Sequence, residues 1–393
     1  MQNAEHSAPV LADTEPSADG EERTTPIELF FDLVFVYAVT QVSHLVSAHP
    51  TPEGFARAAV VLGAVWYAWI CFAWLTNNVG VDDGVVRVGV LLATGASFLV
   101  ALAVPHALDT QVALFAAAYF VVRVLHVGLY AYGTRHAPDV RRNVLAIAPT
   151  FVLGPAALFA LLWLPDGWRL PYLVVALAFD VSSPYASGVA ELPVKAGHFA
   201  ERFALFVIIT LGESIVAIGA GAGTRPRGAV LLAVALAFLL AVLLWWAYFD
   251  MVSTAAERRL GSARQAERAM LARDAYSYLH YLIVAGIVGF AVGCKSLVAH
   301  PLNHQRTGET VALCGGVAVY LLGHGLFRLR MTGTIGGHHL AGAAAAGAMI
   351  AVSGRLSALV VAGSLAVVLG AAAAWERLEL RHLRPRREPA PSD

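Results

Sequence analysis

The sequence predicts an all-α, polytopic integral membrane protein: a bundle of about twelve transmembrane helices arranged as two parallel six-helix repeats. Three observations lead there. The 393 residues are 58% hydrophobic and only 14% charged, where soluble domains carry about 25% charged residues. Mean hydropathy is +0.66. The apolar residues run in stretches of membrane length, since a hydrocarbon core of about 30 Å takes roughly 20 residues per helix.

Taken in order, residues 1–24 are polar and acidic, with neither a positively charged start nor a short apolar core. They read as a disordered tail and not as a signal peptide. Membrane-length runs then follow near 26–47, 55–77, 86–106, 110–133, 142–164, 169–187, 198–222, 229–251, 273–294, 308–328, 338–354 and 356–376. Only a short turn at Gly354-Arg355 divides the last two, so ten or eleven spans remain open. Residues 252–272 read as a cytoplasmic loop and 377–393 as a basic, Pro-rich tail. With the N-terminus inside, the tails and even-numbered loops hold 19 of the 27 Lys and Arg residues. The positive-inside bias therefore places both termini in the cytoplasm of a multi-pass protein of the cell membrane. Formal net charge is zero, which excludes a basic footprint for nucleic acid. Cys71, Cys294 and Cys314 all fall in apolar runs and read as small buried hydrophobes.

A shift of 173 residues lays the first run on the seventh and the second on the eighth. Glu28-Leu-Phe30 meets Glu201-Arg202-Phe203, Thr40 meets Glu213, Phe72 meets Trp245 and Asn77 meets Asp250. At a larger offset, Ala118-Tyr119-Phe resembles Val319-Tyr320-Leu. An even number of helices per half makes such repeats parallel, related by an axis along the membrane normal. The expected units are residues 25–195 and 196–376.

Ionisable groups inside the spans nominate a site, because each costs about 2.5–3.5 kcal/mol at a helix centre in lipid. Glu28 and Asp32 are four residues apart on one helix face. Glu28, Glu201 and Asp274 sit in first turns, where a carboxylate complements the helix dipole; Asp32 lies a turn deeper. Arg123 is central in the fourth run, with His126 beyond it. It stays protonated at any accessible pH, so it needs an anion, and Asp180 or Glu213 match it in depth. Gln41 and His44 complete the primary candidates for ion or substrate binding; Glu28, Glu201, Arg202, Asp250, Asp274 and His280 are secondary. His44, His280 and His324 read first as hydrogen-bonded core histidines. With no His-Glu-x-x-His or paired-cysteine pattern, no metal site and no cofactor are expected. No Asp-rich diphosphate motif is present either, and Gly219-Ala-Gly221-Ala-Gly223 follows no strand. Gly289-x-x-x-Gly293 reads as close helix packing. Trp66, Tyr67, Trp69, Trp74, Trp245, Trp246 and Tyr248 read as an interfacial aromatic belt.

Four phrases together resemble the bacterial low temperature requirement A (LtrA) family. They are Glu28-Leu-Phe-Phe-Asp32-Leu-Val-Phe with Thr40-Gln41 and Ser43-His44; Glu201-Arg-Phe with Ile209-Thr-Leu-Gly212-Glu213-Ser214; Trp245-Trp246-Ala-Tyr248-Phe-Asp250; and Asp274-Ala-Tyr-Ser-Tyr278-Leu-His280. The resemblance spans about residues 24–376. It implies a multi-spanning protein of a family named for growth in the cold, and no settled activity. Phe30-Phe31-Asp32-Leu-Val34-Phe35 is also similar to the Phe-Ser-Asp-Gly-Val-Phe signature of lysosomal-type potassium channels. Phe31 and Leu33 replace the Ser and Gly there, and Pro26 stands where that family has an Arg.

A duplicated bundle with acids on equivalent helices points first to a proton- or cation-linked transporter or channel. Its partners would be the bilayer and a small cation, proton or solute, with a homo-oligomer open. The alternatives are an intramembrane enzyme acting on a lipid or isoprenoid, for which no metal or diphosphate motif is present, and a cold-response sensor or scaffold.

Overall fold

The computed structural model describes residues 23–186 and 192–383. Almost all of the expected N-terminal tail and the last part of the C-terminal tail lie outside the described residues. Within them the chain is helical, with no β-strand beyond one isolated bridge between His304 and Ser357.

Helices α1 (Pro26–Ala48), α2 (Pro52–Asn78), α3 (Gly84–Ala103), α4 (Val112–Gly133), α5 (Pro138–Ala157) and α6 (Asp166–Ala186) make the first half. The second half opens with α7 (Ala196–Ala222) and α8 (Ala229–Trp246), which runs through a π segment into α9 (Thr254–Ser262). Helix α10 (Gln265–Leu271) likewise leads into α11 (His280–Ala299), and α12 (Thr307–Thr310) into α13 (Gly316–Thr332). Helices α14 (Gly337–Val352) and α15 (Ala358–Leu383) complete it. Ten of these rods are long and apolar enough to cross a membrane. The other two are α6, whose apolar run is diluted by Arg169, Asp180, Pro171 and Pro184, and α14, only 16 residues long. The segment read as a loop at 252–272 is instead helical extension. Helix α9 buries Ala256 and Leu260 while its arginines face outward, so an amphipathic stripe carries the rod past the apolar run.

Local chemistry sets the helix starts. Thr25 and Glu28 form a reciprocal capping box ahead of α1, with Pro26 in the first turn. The Thr51 hydroxyl accepts from the Gly54 amide to start α2. Asp83 accepts from the Val85 and Val86 amides at α3 and from Arg135 at 3.0 Å. Burial alone would raise the Asp83 carboxyl, but those amides and the guanidinium outweigh it and hold the carboxyl below the ordinary carboxylate value.

Neighbours follow the same order in both halves. Helix α1 packs on α2 and α3, α3 on α4, α4 on α5, α5 on α6, and α6 returns to α2. In the second half α7 packs on α8 and α11, α11 on α13, α13 on α14, α14 on α15, and α15 returns to α8. The halves meet where α1 and α2 lie against α7 and α11. At the α11–α13 crossing, small residues let backbones touch: a Cβ on Gly286 would stand 2.5 Å from the Tyr320 amide nitrogen.

From Val61 to Asn77 helix α2 is enclosed by its neighbours, which corrects the expected aromatic belt. Trp66, Tyr67, Trp69 and Trp74 are core residues, as is Tyr248, whereas Trp245 and Trp246 are exposed. Buried indoles need an acceptor. Trp66 donates to the Ser277 carbonyl at 2.8 Å and Trp74 to the Ser277 hydroxyl at 2.9 Å.

Candidate functional site

The α1–α2–α7 junction concentrates charge in this apolar interior. Helical spacing puts Glu28 and Asp32 one turn apart on the same face of α1, so a single guanidinium from α7 reaches both. Arg202 Nη1 donates to Glu28 Oε1 at 2.8 Å and Nη2 to Asp32 Oδ1 at 2.6 Å. Trp69 Nε1 of α2 donates to the same Asp32 oxygen at 2.7 Å, and Arg202 Nη1 also reaches the Thr76 hydroxyl at 3.1 Å. His198, one turn before Arg202, sets Nε2 3.2 Å from Glu28 Oε1, and Asn77 Nδ2 lies 3.2 Å from its Nδ1. Asn77 itself is fixed by the Lys195 backbone, accepting from its amide and donating to its carbonyl. The stacked rings of Trp66 and Trp69, with Phe203 and Phe206 edge-on or tilted against them, wall the cluster off.

Asp32 and Arg202 are each 0% exposed and Glu28 is 1% exposed. Among the described residues the two carboxylates thus share one obligate cation, with His198 as the other titratable group bonded to them. Asp32 Oδ2 and Arg202 Nε have no hydrogen-bond partner among the described residues, although buried polar atoms nearly always find one.

Further along the α1–α7 seam the Thr40 hydroxyl donates to Glu213 Oε2 at 2.5 Å. Eight residues separate Thr40 from Asp32, about 12 Å along the helix. Both partners carry the numbers that the 173-residue shift superposes.

Arg123 has Asp180 as its anion, at 2.8 Å, and not Glu213. Tyr119 donates to Asp180 Oδ2 at 3.0 Å and Tyr67 to the Asp180 carbonyl at 3.1 Å. Arg123 also contacts Cys71 Sγ and lies 4.8 Å over the rings of both Tyr67 and Phe151. Beside it lies a small cavity lined by Tyr67, Cys71, His126, Tyr130 and Ser277. No hydrogen bond or ion pair among the described residues joins this network to Asp32 or Glu213.

The other candidates disperse. Gln41 and His44 face an outer pocket with His49, Arg57, His106 and Asp109; His44 is exposed and not a buried core histidine, because α1 turns that face away from α7. Glu201 accepts from the Thr24 amide at 2.9 Å. Asp250 is exposed and accepts from Trp246 and Arg377. Asp274 pairs with Arg273 and Arg330. His280, fully buried, sits 2.9 Å from the Tyr248 hydroxyl. The sequence reading missed His198, Trp69, Thr76 and Asn77 as members of the charged cluster; the one sequence signal was the four-residue spacing of His198 and Arg202. It also missed a group built from the adjacent His338 and His339 with Glu376, because the glutamate lies on another helix, too far along the chain to form a motif with them.

A family profile described as "Bacterial low temperature requirement A protein (LtrA)" matches residues 23–374. The uncharacterized protein RA0937 of Rhizobium meliloti (strain 1021) is 29% identical over 380 residues, covering 91% of this chain and 90% of that relative. No solved structure matches.

Proposed function

The chain belongs to the bacterial low temperature requirement A (LtrA) family, and on that premise we propose that it is a proton- or cation-linked transporter or channel whose working element is the α1–α7 seam. One observation carries this reading: Asp32 Oδ2, buried and unpartnered, beside a cluster with two carboxylates for one guanidinium. A negative charge held in apolar surroundings is relieved by binding a proton or a cation. When Asp32 is neutralised, Arg202 keeps Glu28 as its anion, so loading at Asp32 shifts the guanidinium between its two partners. Glu213 and Thr40 extend the polar track along the same two helices.

The halves are parallel repeats in this reading. The matching neighbour order supports it, as does the Thr40–Glu213 contact, since equivalent points on helices related by a twofold axis meet at that axis. An even number of rods returns both termini to one face, and the Lys and Arg bias makes that face cytoplasmic.

Infrared difference spectroscopy on the purified protein tests the loading step. A pH step should produce a protonated-carboxyl C=O band that disappears in Asp32→Asn. A band unaltered by Asp32→Asn assigns the proton elsewhere and removes the basis of the mechanism.

A further inference from the structure

We propose a site for a divalent late transition-metal ion, zinc in chemical class, formed by His338, His339 and Glu376 at the end of the bundle where α13, α14 and α15 converge. It lies apart from the α1–α7 cluster and stands independently of the transport reading. One nitrogen from each imidazole and one Glu376 oxygen all lie within 4.8 Å of one another. All three residues are buried, at 2%, 2% and 7% exposure.

The donor set is unsatisfied without an ion. Neither ring nitrogen of His338 makes a hydrogen bond, nor does Nδ1 of His339, and three such atoms side by side in a protein interior are unusual. His338 Nε2 faces Glu376 Oε2 at 3.4 Å, too poorly aligned for a hydrogen bond. That separation equals the ~3.4 Å edge between two ligands on a tetrahedral ion with bonds of about 2.0–2.1 Å. His338 Nδ1 points at Glu379 Oε2, 3.7 Å away. A carboxylate behind the non-ligating nitrogen is the outer-shell arrangement that fixes a metal-bound imidazole's tautomer. Two imidazoles and one carboxylate suit zinc and its neighbours better than magnesium or calcium, which take all-oxygen sites.

Two further features frame the site. His324, 0% exposed and with neither ring nitrogen hydrogen-bonded among the described residues, stacks 5.9 Å from the His339 ring. Gly336 packs directly against the two imidazoles: a Cβ there would stand 2.7 Å from His339 Nδ1 and 2.6 Å from His338 Cε1. Arg328 Nη1, 4.0 Å from Glu376 Oε1 and 3.8 Å from Glu379 Oε2, is the cation that a metal must compete with.

The test is equilibrium dialysis of zinc against the full-length, metal-stripped protein in detergent, with metal analysis, and cobalt as a spectroscopic substitute. Expected are one zinc per chain, a ligand-field spectrum of a low-coordinate cobalt site, and a rise in melting temperature on adding zinc. His339→Gln and Glu376→Gln should each weaken binding at least 10-fold, and exposed His136→Gln should leave it unchanged. Glu376→Gln preserves side-chain size and covers the case in which the histidine variant does not fold. Wild-type protein that binds no zinc, or variants that keep its stoichiometry and affinity, would overturn the assignment.

Discussion

Replacing Arg202 by Gln isolates the energetics of the buried cluster. Among the described residues the guanidinium is the one obligate cation for Glu28 and Asp32, which are 1% and 0% exposed. Removing one partner from a buried ion pair costs about 3–5 kcal/mol, because the charge left behind is neither solvated nor compensated. Here two carboxylates one helical turn apart are left together, so the upper part of that range applies. Since 1.4 kcal/mol is a factor of ten, the folded population should fall relative to the unfolded by about 10³–10³·⁵. Asp32→Asn behaves differently. The amide oxygen still accepts from Trp69 and Arg202, and the substitution removes the excess negative charge, so its own cost should stay within about 1 kcal/mol. The double variant should then be more stable than Arg202→Gln alone by about 1–3 kcal/mol, the coupling that contacting residues show. Denaturation in detergent, run as a double-mutant cycle, measures all three. An Arg202→Gln loss below about 1 kcal/mol, or no recovery on adding Asp32→Asn, would refute the charge accounting.

Two further outcomes follow from packing and capping. Gly286→Ala should destabilise by about 1–3 kcal/mol or more, since its Cβ meets the Tyr320 backbone and not a side chain able to yield; Gly347→Ala on α14, with nothing within 4 Å, should be neutral or stabilising by about 0.5–1 kcal/mol. The two melting curves give the comparison, and equal effects would argue against the close α11–α13 crossing. Asp83→Ala should destabilise at neutral pH through loss of the α3 cap and the Arg135 pair. The folded-state carboxyl lies below its ordinary value, so its stabilisation is present above the ordinary aspartate range and is lost as pH falls through the folded value. The difference between wild type and Asp83→Ala in melting temperature should therefore shrink on acidification, and a constant difference would contradict the capping role.

Hydropathy is a one-dimensional signal, and what it carries was legible: the all-α membrane bundle, nearly all of the rods, and the close glycine packing on α11. Side-chain partners are three-dimensional and were not. Depth alone left Arg123 with both Asp180 and Glu213 as partners; the packing around α5 brings Asp180 across to α4, while Glu213 turns to Thr40 on α1. Glu28 was readable as a helix-start residue, and its capping box is there, but the same carboxylate also holds Arg202, which only the α1–α7 contact reveals. The aromatic residues of α2 misled because composition cannot distinguish an interfacial ring from one enclosed inside the bundle. His338, His339 and Glu376 had no readable spacing, since a helical hairpin and not a local motif brings the glutamate to the histidines.

Flux across proteoliposomes is the most direct test of the account, with wild type, Asp32→Asn and Glu213→Gln reconstituted at equal density and proton and alkali-cation movement followed under an imposed gradient. The account predicts wild-type flux above that of empty liposomes and loss of that flux in both variants, with melting temperatures close to wild type. Wild-type rates in both variants would contradict it.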